Sequence, residues 1–143
     1  MEAAVKELFQ RYESLFNRAL SGAADTEEIA SLYAPEMIGA SPAGVMSGLN
    51  DDRFRQVMAQ GYAHYHAIGT KGMRIRHIRL SPIDDCHCMA HVAWTATYAR
   101  DDLPKTALDF EVHYLVQFLD QEAKVFGWIS GDEQALLKQR GIT

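Results

Sequence analysis

The sequence predicts one α+β domain, with three helices first, an antiparallel sheet next and a short helix last. The change of hydrophobic period carries this reading: apolar residues recur at three- and four-residue steps before Gly69 and at two-residue steps after it. No linker, repeat or low-complexity stretch breaks that order, and helices segregated ahead of strands must cover one face of the sheet. At 143 residues with 48% apolar positions, a single domain spanning 1–143 buries a core without disulfides or a structural metal.

Val5, Leu8, Phe9, Tyr12, Leu15, Phe16, Ala19 and Leu20 form one stripe of a first helix that Ser21-Gly22 ends. Asp25 and Glu28 have the reciprocal capping spacing and open a second, shorter helix with Ile29, Leu32 and Tyr33 on its face, until Pro35 forbids continuation. Residues 37–48 hold three glycines and a proline among scattered apolar residues, which predicts a short strand leading into an irregular loop. Asn50 or Asp51 caps a third helix whose face is Phe54, Val57, Met58, Gly61, Tyr62 and Tyr65.

Four strands follow over 73–83, 86–99, 107–118 and 124–130, separated by breaks short enough for hairpins, so the sheet reads as a meander. Ser130 and Glu133 form a capping box for a last helix through Ala135, Leu136 and Leu137, which Gly141 can end. Alternation sorts the strands by face. Ala90, Val92, Trp94, Ala96 and Tyr98 share the apolar side with Leu108, Phe110, Val112, Tyr114, Val116 and Phe118, and must face the helices. His91, Ala93, Thr95, Thr97, Asp109, Glu111, His113 and Gln117 fall on the outer side. The last strand is apolar on both sides, and Trp128 is assigned inward.

Fourteen Lys plus Arg against nineteen Asp plus Glu give a net charge of −5, which argues against a general polyanion binder, so no nucleic acid is expected. The absence of a long uncharged span and the acidic start MEAAVKELF argue against a membrane segment or secretory leader; the expected location is the cytoplasm. Cys86 and Cys88 then read as reduced packing thiols. With His87 and His91 they make the densest ligand-type cluster, but alternation points them to opposite faces, so no metal and no cofactor is expected. His64 and His66 suit the C-terminal end of the third helix. His91, Glu111 and His113 can meet across strands, as a dyad or as part of a homodimer interface on the outer sheet face; the interface is preferred. Lys71, Arg74, Arg76, His77 and Arg79 read as a solvated edge strand.

The stretches LFQRYESLF, IASLYAPEMIGASPAG, HYLVQF and KVFGWISG, with the order of elements, resemble the nuclear transport factor 2-like superfamily, also called SnoaL-like or cystatin-like. The resemblance implies a cone of strongly bent antiparallel sheet, closed on one side by helices, with a pocket inside. It covers ketosteroid isomerases, scytalone dehydratases, polyketide cyclases and many non-catalytic dimers, so fold alone leaves function open. Against the isomerase pattern, Tyr12 is similar in position to the oxyanion-binding tyrosine and Tyr114 falls where a protonated aspartic acid would sit. Ser41, in Ala40-Ser41-Pro42-Ala43-Gly44, stands where the general base would be, and a serine without an adjacent base is a poor proton acceptor near neutral pH.

The aromatic residues Tyr12, Tyr33, Trp94, Tyr98, Tyr114 and Trp128, with Ser41, are therefore the candidate binding residues for a small organic molecule held by stacking and a few oriented hydrogen bonds. The leading expectation is a non-catalytic ligand-binding domain. The alternatives are an isomerase, cyclase or dehydratase acting on a carbonyl compound, which an inward His66 or His77 would support, and a dimeric assembly module with a filled core.

Overall fold

The computed structural model describes residues 1–22 and 24–143. Its elements are α1 (Glu2–Ser21), α2 (Thr26–Ala30), β1 (Tyr33–Ser41), β2 (Gly44–Leu49), α3 (Asp52–Ala67), β3 (Thr70–Asp84), β4 (His87–Arg100), β5 (Leu103–Leu119), β6 (Glu122–Ser130) and α4 (Glu133–Gln139). The predicted class stands: helices cover one face of a single six-stranded sheet, in the order β2-β1-β6-β5-β4-β3.

Several local expectations are corrected. Residues 37–48 are no loop: β1 and β2 form a hairpin about Pro42-Ala43. Its alternation was hidden because β2 is exposed along its whole length, so its apolar residues mark no core face. The second helix ends at Ala30, where the Ser31 hydroxyl and backbone N–H both return to carbonyls of its last turn. Tyr33 is instead extended and pairs with Val125, and Ala34 after it is held extended by Pro35. Strands β3 to β6 form the predicted meander, but β1 joins it parallel to β6. Pro104 lies inside β5, because the turn needs only Asp101 and Asp102. Asp132, not Ser130, caps α4, its carboxylate accepting the Ala135 N–H at 2.9 Å. On α3 the packed stripe is Phe54, Met58, Tyr62 and Tyr65, while Val57 is 57% exposed.

α1 lies across the inner face, and its Val5, Leu8, Phe9 and Leu15 pack on Ala90, Val92, Trp94, Tyr114, Val116 and Val125. Each large apolar side chain so buried contributes about 1.5–3 kcal/mol before entropy is set against it. Trp128 points inward as expected, and so does Val125 three residues earlier. A bulge at Phe126-Gly127, seen as a register shift against Leu115 and Val116, reverses the alternation between them. A second cluster of Ala96, Tyr98, Leu108, Leu137 and Ile142 lies under α4. Side chains of α1 also cover the free edge of β3. Asn17 accepts the Met73 N–H at 2.8 Å and donates to the Met73 carbonyl at 2.7 Å, and Glu13 accepts the Ile75 N–H at 2.5 Å.

Candidate functional site

Five of the candidate residues meet in one aromatic cluster at the centre of the inner face. The helical spacing of Phe9 and Tyr12 on α1 places both rings over the sheet, where Trp94 of β4 and Tyr114 of β5 rise to meet them. Tyr33, at the start of β1, closes against Tyr12 with ring centroids 6.3 Å apart, and Trp128 lies 5.9 Å beyond Tyr33. Trp128 is opposite Tyr114 across the β5–β6 ladder, so pairing register fixes its place. On its other side it lies against Gly39, where a Cβ would come within 2.8 Å of the indole. Phe54 of α3 caps Tyr33 from above, centroid to centroid 5.2 Å.

The polar atoms of these rings form two hydrogen-bonded pairs. The Trp94 indole N–H donates to the Tyr114 hydroxyl at 3.2 Å, and the Tyr33 hydroxyl donates to that of Tyr12, also at 3.2 Å. Burial holds all three phenols above their ordinary pKa, Tyr33 and Tyr114 well above it. Tyr12 is raised least emphatically, because the hydrogen bond from Tyr33 and the neighbouring Tyr114 hydroxyl offset part of the burial. The three are therefore neutral donors near neutral pH, and an oxygen that accepts from its neighbours leaves its own proton to donate outward. Exposure is graded across the cluster. Trp94 and Tyr114 are 1% and 5% exposed and form a sealed floor, whereas Tyr12, Tyr33, Trp128, Phe54 and Met58 are only half-buried.

Among the described residues no carboxylate or imidazole hydrogen-bonds to these phenols. His66 and His77, either of which could have served as a base, are both exposed. Glu133 adds a distant negative charge, but its carboxylate accepts the Tyr65 hydroxyl at 3.0 Å. Two candidates lie elsewhere. Ser41 sits at the β1–β2 turn, its hydroxyl accepting the Ala43 N–H at 3.2 Å. Tyr98 belongs to the second cluster under α4, and burial, with Glu133 adding to it, pushes its phenol up to about 12. Phe9, Phe54 and Gly39 belong to the site and were not singled out in the sequence. Phe9 and Phe54 were read as helix core, while Gly39 gave no signal without knowledge of its Trp128 contact.

On the outer face the expected histidine pair does meet. His91 and His113 are directly opposite with Nδ1 atoms 2.7 Å apart, and His91 Nε2 is 2.9 Å from the Ser81 hydroxyl. Burial, then the neighbouring Arg79 and His113, lowers the pKa of His91. Glu111 lies one row away, opposite Ala93. Cys86 and Cys88 are free thiols, and burial pushes that of Cys88 up. Among the described residues no three His, Cys, Asp or Glu side chains converge as metal ligands. An open groove of about 610 Å³ runs past the β3 edge, lined by Glu13, Asn17, Gly72, Arg74, Thr97 and Lys105. No helix is long and apolar enough to cross a membrane.

A bent sheet with helices on one face and aromatic rings between them is the architecture of a cone-shaped α+β domain. The chain belongs to the NTF2-like protein family (DUF6841), whose sequence profile matches residues 2–133. It is similar in fold to an NTF2-like protein with a cystatin-like fold from Novosphingobium aromaticivorans, at 11% identity and TM-score 0.69, over 99% of this chain and 87% of that one. A ketosteroid isomerase-like protein from Erwinia carotovora atroseptica aligns at 14% identity and TM-score 0.62, over 90% and 93% of the two chains. A putative scytalone dehydratase from Novosphingobium aromaticivorans aligns at 13% identity and TM-score 0.66, over 90% and 80%. No curated protein matches the chain.

Proposed function

We propose that this protein binds a small, flat, uncharged organic molecule bearing a hydrogen-bond acceptor, against the rim of the aromatic cluster, without catalysing a reaction on it. The observation that carries the reading is the hydrogen bond that Tyr12 accepts from Tyr33, beside the Trp94–Tyr114 pair. With Tyr33 donating to the Tyr12 oxygen and Trp94 anchoring Tyr114, the Tyr12 proton is the one left for a carbonyl or similar oxygen. Half-buried Tyr33, Trp128 and Phe54 offer the apolar faces for stacking. The ketosteroid isomerase-like and scytalone dehydratase relatives suggest carbonyl chemistry, which needs a proton acceptor as well as a donor. In this cluster the described side chains supply only neutral phenols and two indoles as polar groups, which supports binding over turnover.

The test is a titration of planar ketones, phenols and lactams, read by quenching of Trp94 and Trp128, the two tryptophans of the chain. Saturable quenching by part of the panel supports the reading, and no response from any member counts against it. We also place a homodimer interface on the outer sheet face around His91, Glu111 and His113. That face carries Arg74 and Arg79 on β3 and Asp109 and Glu111 on β5, a distribution that a second copy can match. Glu111→Lys should then abolish dimers in sedimentation velocity; dimers that persist contradict this placement.

A further inference from the structure

We propose that the exposed edge of β2 pairs with the β2 of a second copy of this chain, antiparallel and with Ser47 opposite its own counterpart. The two edges of the sheet are treated differently. The β3 edge is covered by Asn17 and Glu13 and carries Lys71, Arg74 and Arg79, devices that discourage strand addition. β2 reads Gly-Val-Met-Ser-Gly-Leu, with no charge and no proline, and every residue in it is exposed. Among the described residues nothing but β1 pairs with it.

The ladder shows which of its backbone groups are free. Ser41 and Gly44 flank a two-residue turn, and the Asn50 N–H donates to the Pro35 carbonyl at 2.8 Å at the other end of the hairpin. Gly44, Met46, Gly48 and Asn50 therefore direct their amides toward β1, and by alternation Val45, Ser47 and Leu49 direct theirs outward. A two-fold axis normal to the sheet at Ser47 sets Val45 against the partner's Leu49, Ser47 against Ser47 and Leu49 against Val45. All three outward residues are then satisfied on both chains. The same register pairs Val45, 67% exposed, with Leu49, 59% exposed, on one face of the joined sheet. On the other face Met46, 78% exposed, lies beside the partner's Gly48, which has no side chain to oppose it. Moving the register by two sets Met46 against Met46 and Val45 against Ser47, and exchanges the two Val45–Leu49 pairs for that one apolar pair. This self-complementarity, with no charge to select a different strand, identifies the occupant as a second copy.

This contact is distinct from the outer-face interface and from the ligand site, so its test is independent of both. Residues facing each other in a hydrogen-bonded antiparallel pair have Cα atoms about 5.5 Å apart, within disulfide range. Val45 and its own counterpart would be four residues out of register, or about 13 Å apart along the strands. Under mild oxidation Ser47→Cys should give a covalent dimer on a non-reducing gel and Val45→Cys alone should not, while Val45→Cys with Leu49→Cys should. Glu111→Lys added to Ser47→Cys should leave the cross-link unchanged. In sedimentation, Val45→Lys with Leu49→Lys should lose the β2-mediated species that wild type shows. The proposal is overturned if Val45→Cys cross-links as readily as Ser47→Cys. It is equally overturned if Ser47→Cys stays monomeric on the gel or if the lysine pair leaves the assembly state untouched.

Discussion

Replacing Tyr114 by Phe removes one oxygen from the floor of the aromatic cluster and changes nothing else in shape. That oxygen accepts the indole N–H of Trp94, a residue 1% exposed, so water cannot take its place. Leaving a buried donor unpaired costs about 1–3 kcal/mol, more than the net worth of the bond itself. At this chain length each kcal/mol lowers Tm by roughly 2–4 °C. Urea denaturation of wild type, Tyr114→Phe, Trp94→Phe and the double variant forms a cycle in which the coupling isolates the indole–phenol bond. The expected coupling is about 1 kcal/mol or more, with the double variant less destabilised than the sum of the singles. Additive costs would mean that Trp94 and Tyr114 merely pack side by side.

Other perturbations test the rest of the structure. Gly39→Ala would put a Cβ within 2.8 Å of the Trp128 indole; it should cost about 1–3 kcal/mol and shift the tryptophan emission, whereas an unchanged spectrum would mean that the indole lies elsewhere. Asn17→Ala uncaps both backbone groups of Met73 on a half-buried edge and should cost about 1–2 kcal/mol by denaturation, a loss that Asn17→Asp should only partly restore. All six tyrosines are held above their ordinary pKa of 10.0, chiefly by burial, so absorbance at alkaline pH should show no tyrosinate in the native state as pH passes that value. Their contribution to stability is whole below pH 10.0 and is lost as pH rises above it, because the unfolded chain ionises first. His91 has the opposite sign of shift. Its folded pKa lies below 6.5, so its contribution is present above pH 6.5 and declines as pH falls through that value. His91→Gln should flatten that limb of the stability profile.

The strand alternation of β4 and β5 was enough to place Trp94 and Tyr114 inward and His91 and His113 outward, because a regular antiparallel ladder keeps one parity throughout. Parity says nothing of position along a strand. Trp94 and Tyr98 share a face of β4, but four residues are about 13 Å, and Tyr98 ends under α4 beside Leu137. Bulges are equally silent in the sequence: Val125 and Trp128 both face inward only because Phe126-Gly127 interrupts the ladder. The β1–β2 hairpin was illegible for a different reason, since an edge strand exposed on both faces has no hydrophobic period to read. Ser41, which the resemblance sets where a general base would stand, belongs to the β1–β2 turn rather than to the cluster, because position along a hairpin is not read from a local motif.

The most direct measurement of the account is the affinity of wild type and Tyr12→Phe for a planar carbonyl compound that binds, with the compound recovered afterwards and its structure checked. One neutral hydrogen bond is worth about 1 kcal/mol, so the phenylalanine variant should bind roughly fivefold more weakly, and the compound should return unaltered. Equal affinity would deny Tyr12 its role as donor, and an isomerised or dehydrated product would reveal a proton acceptor in a cluster whose described polar groups are phenols and two indoles.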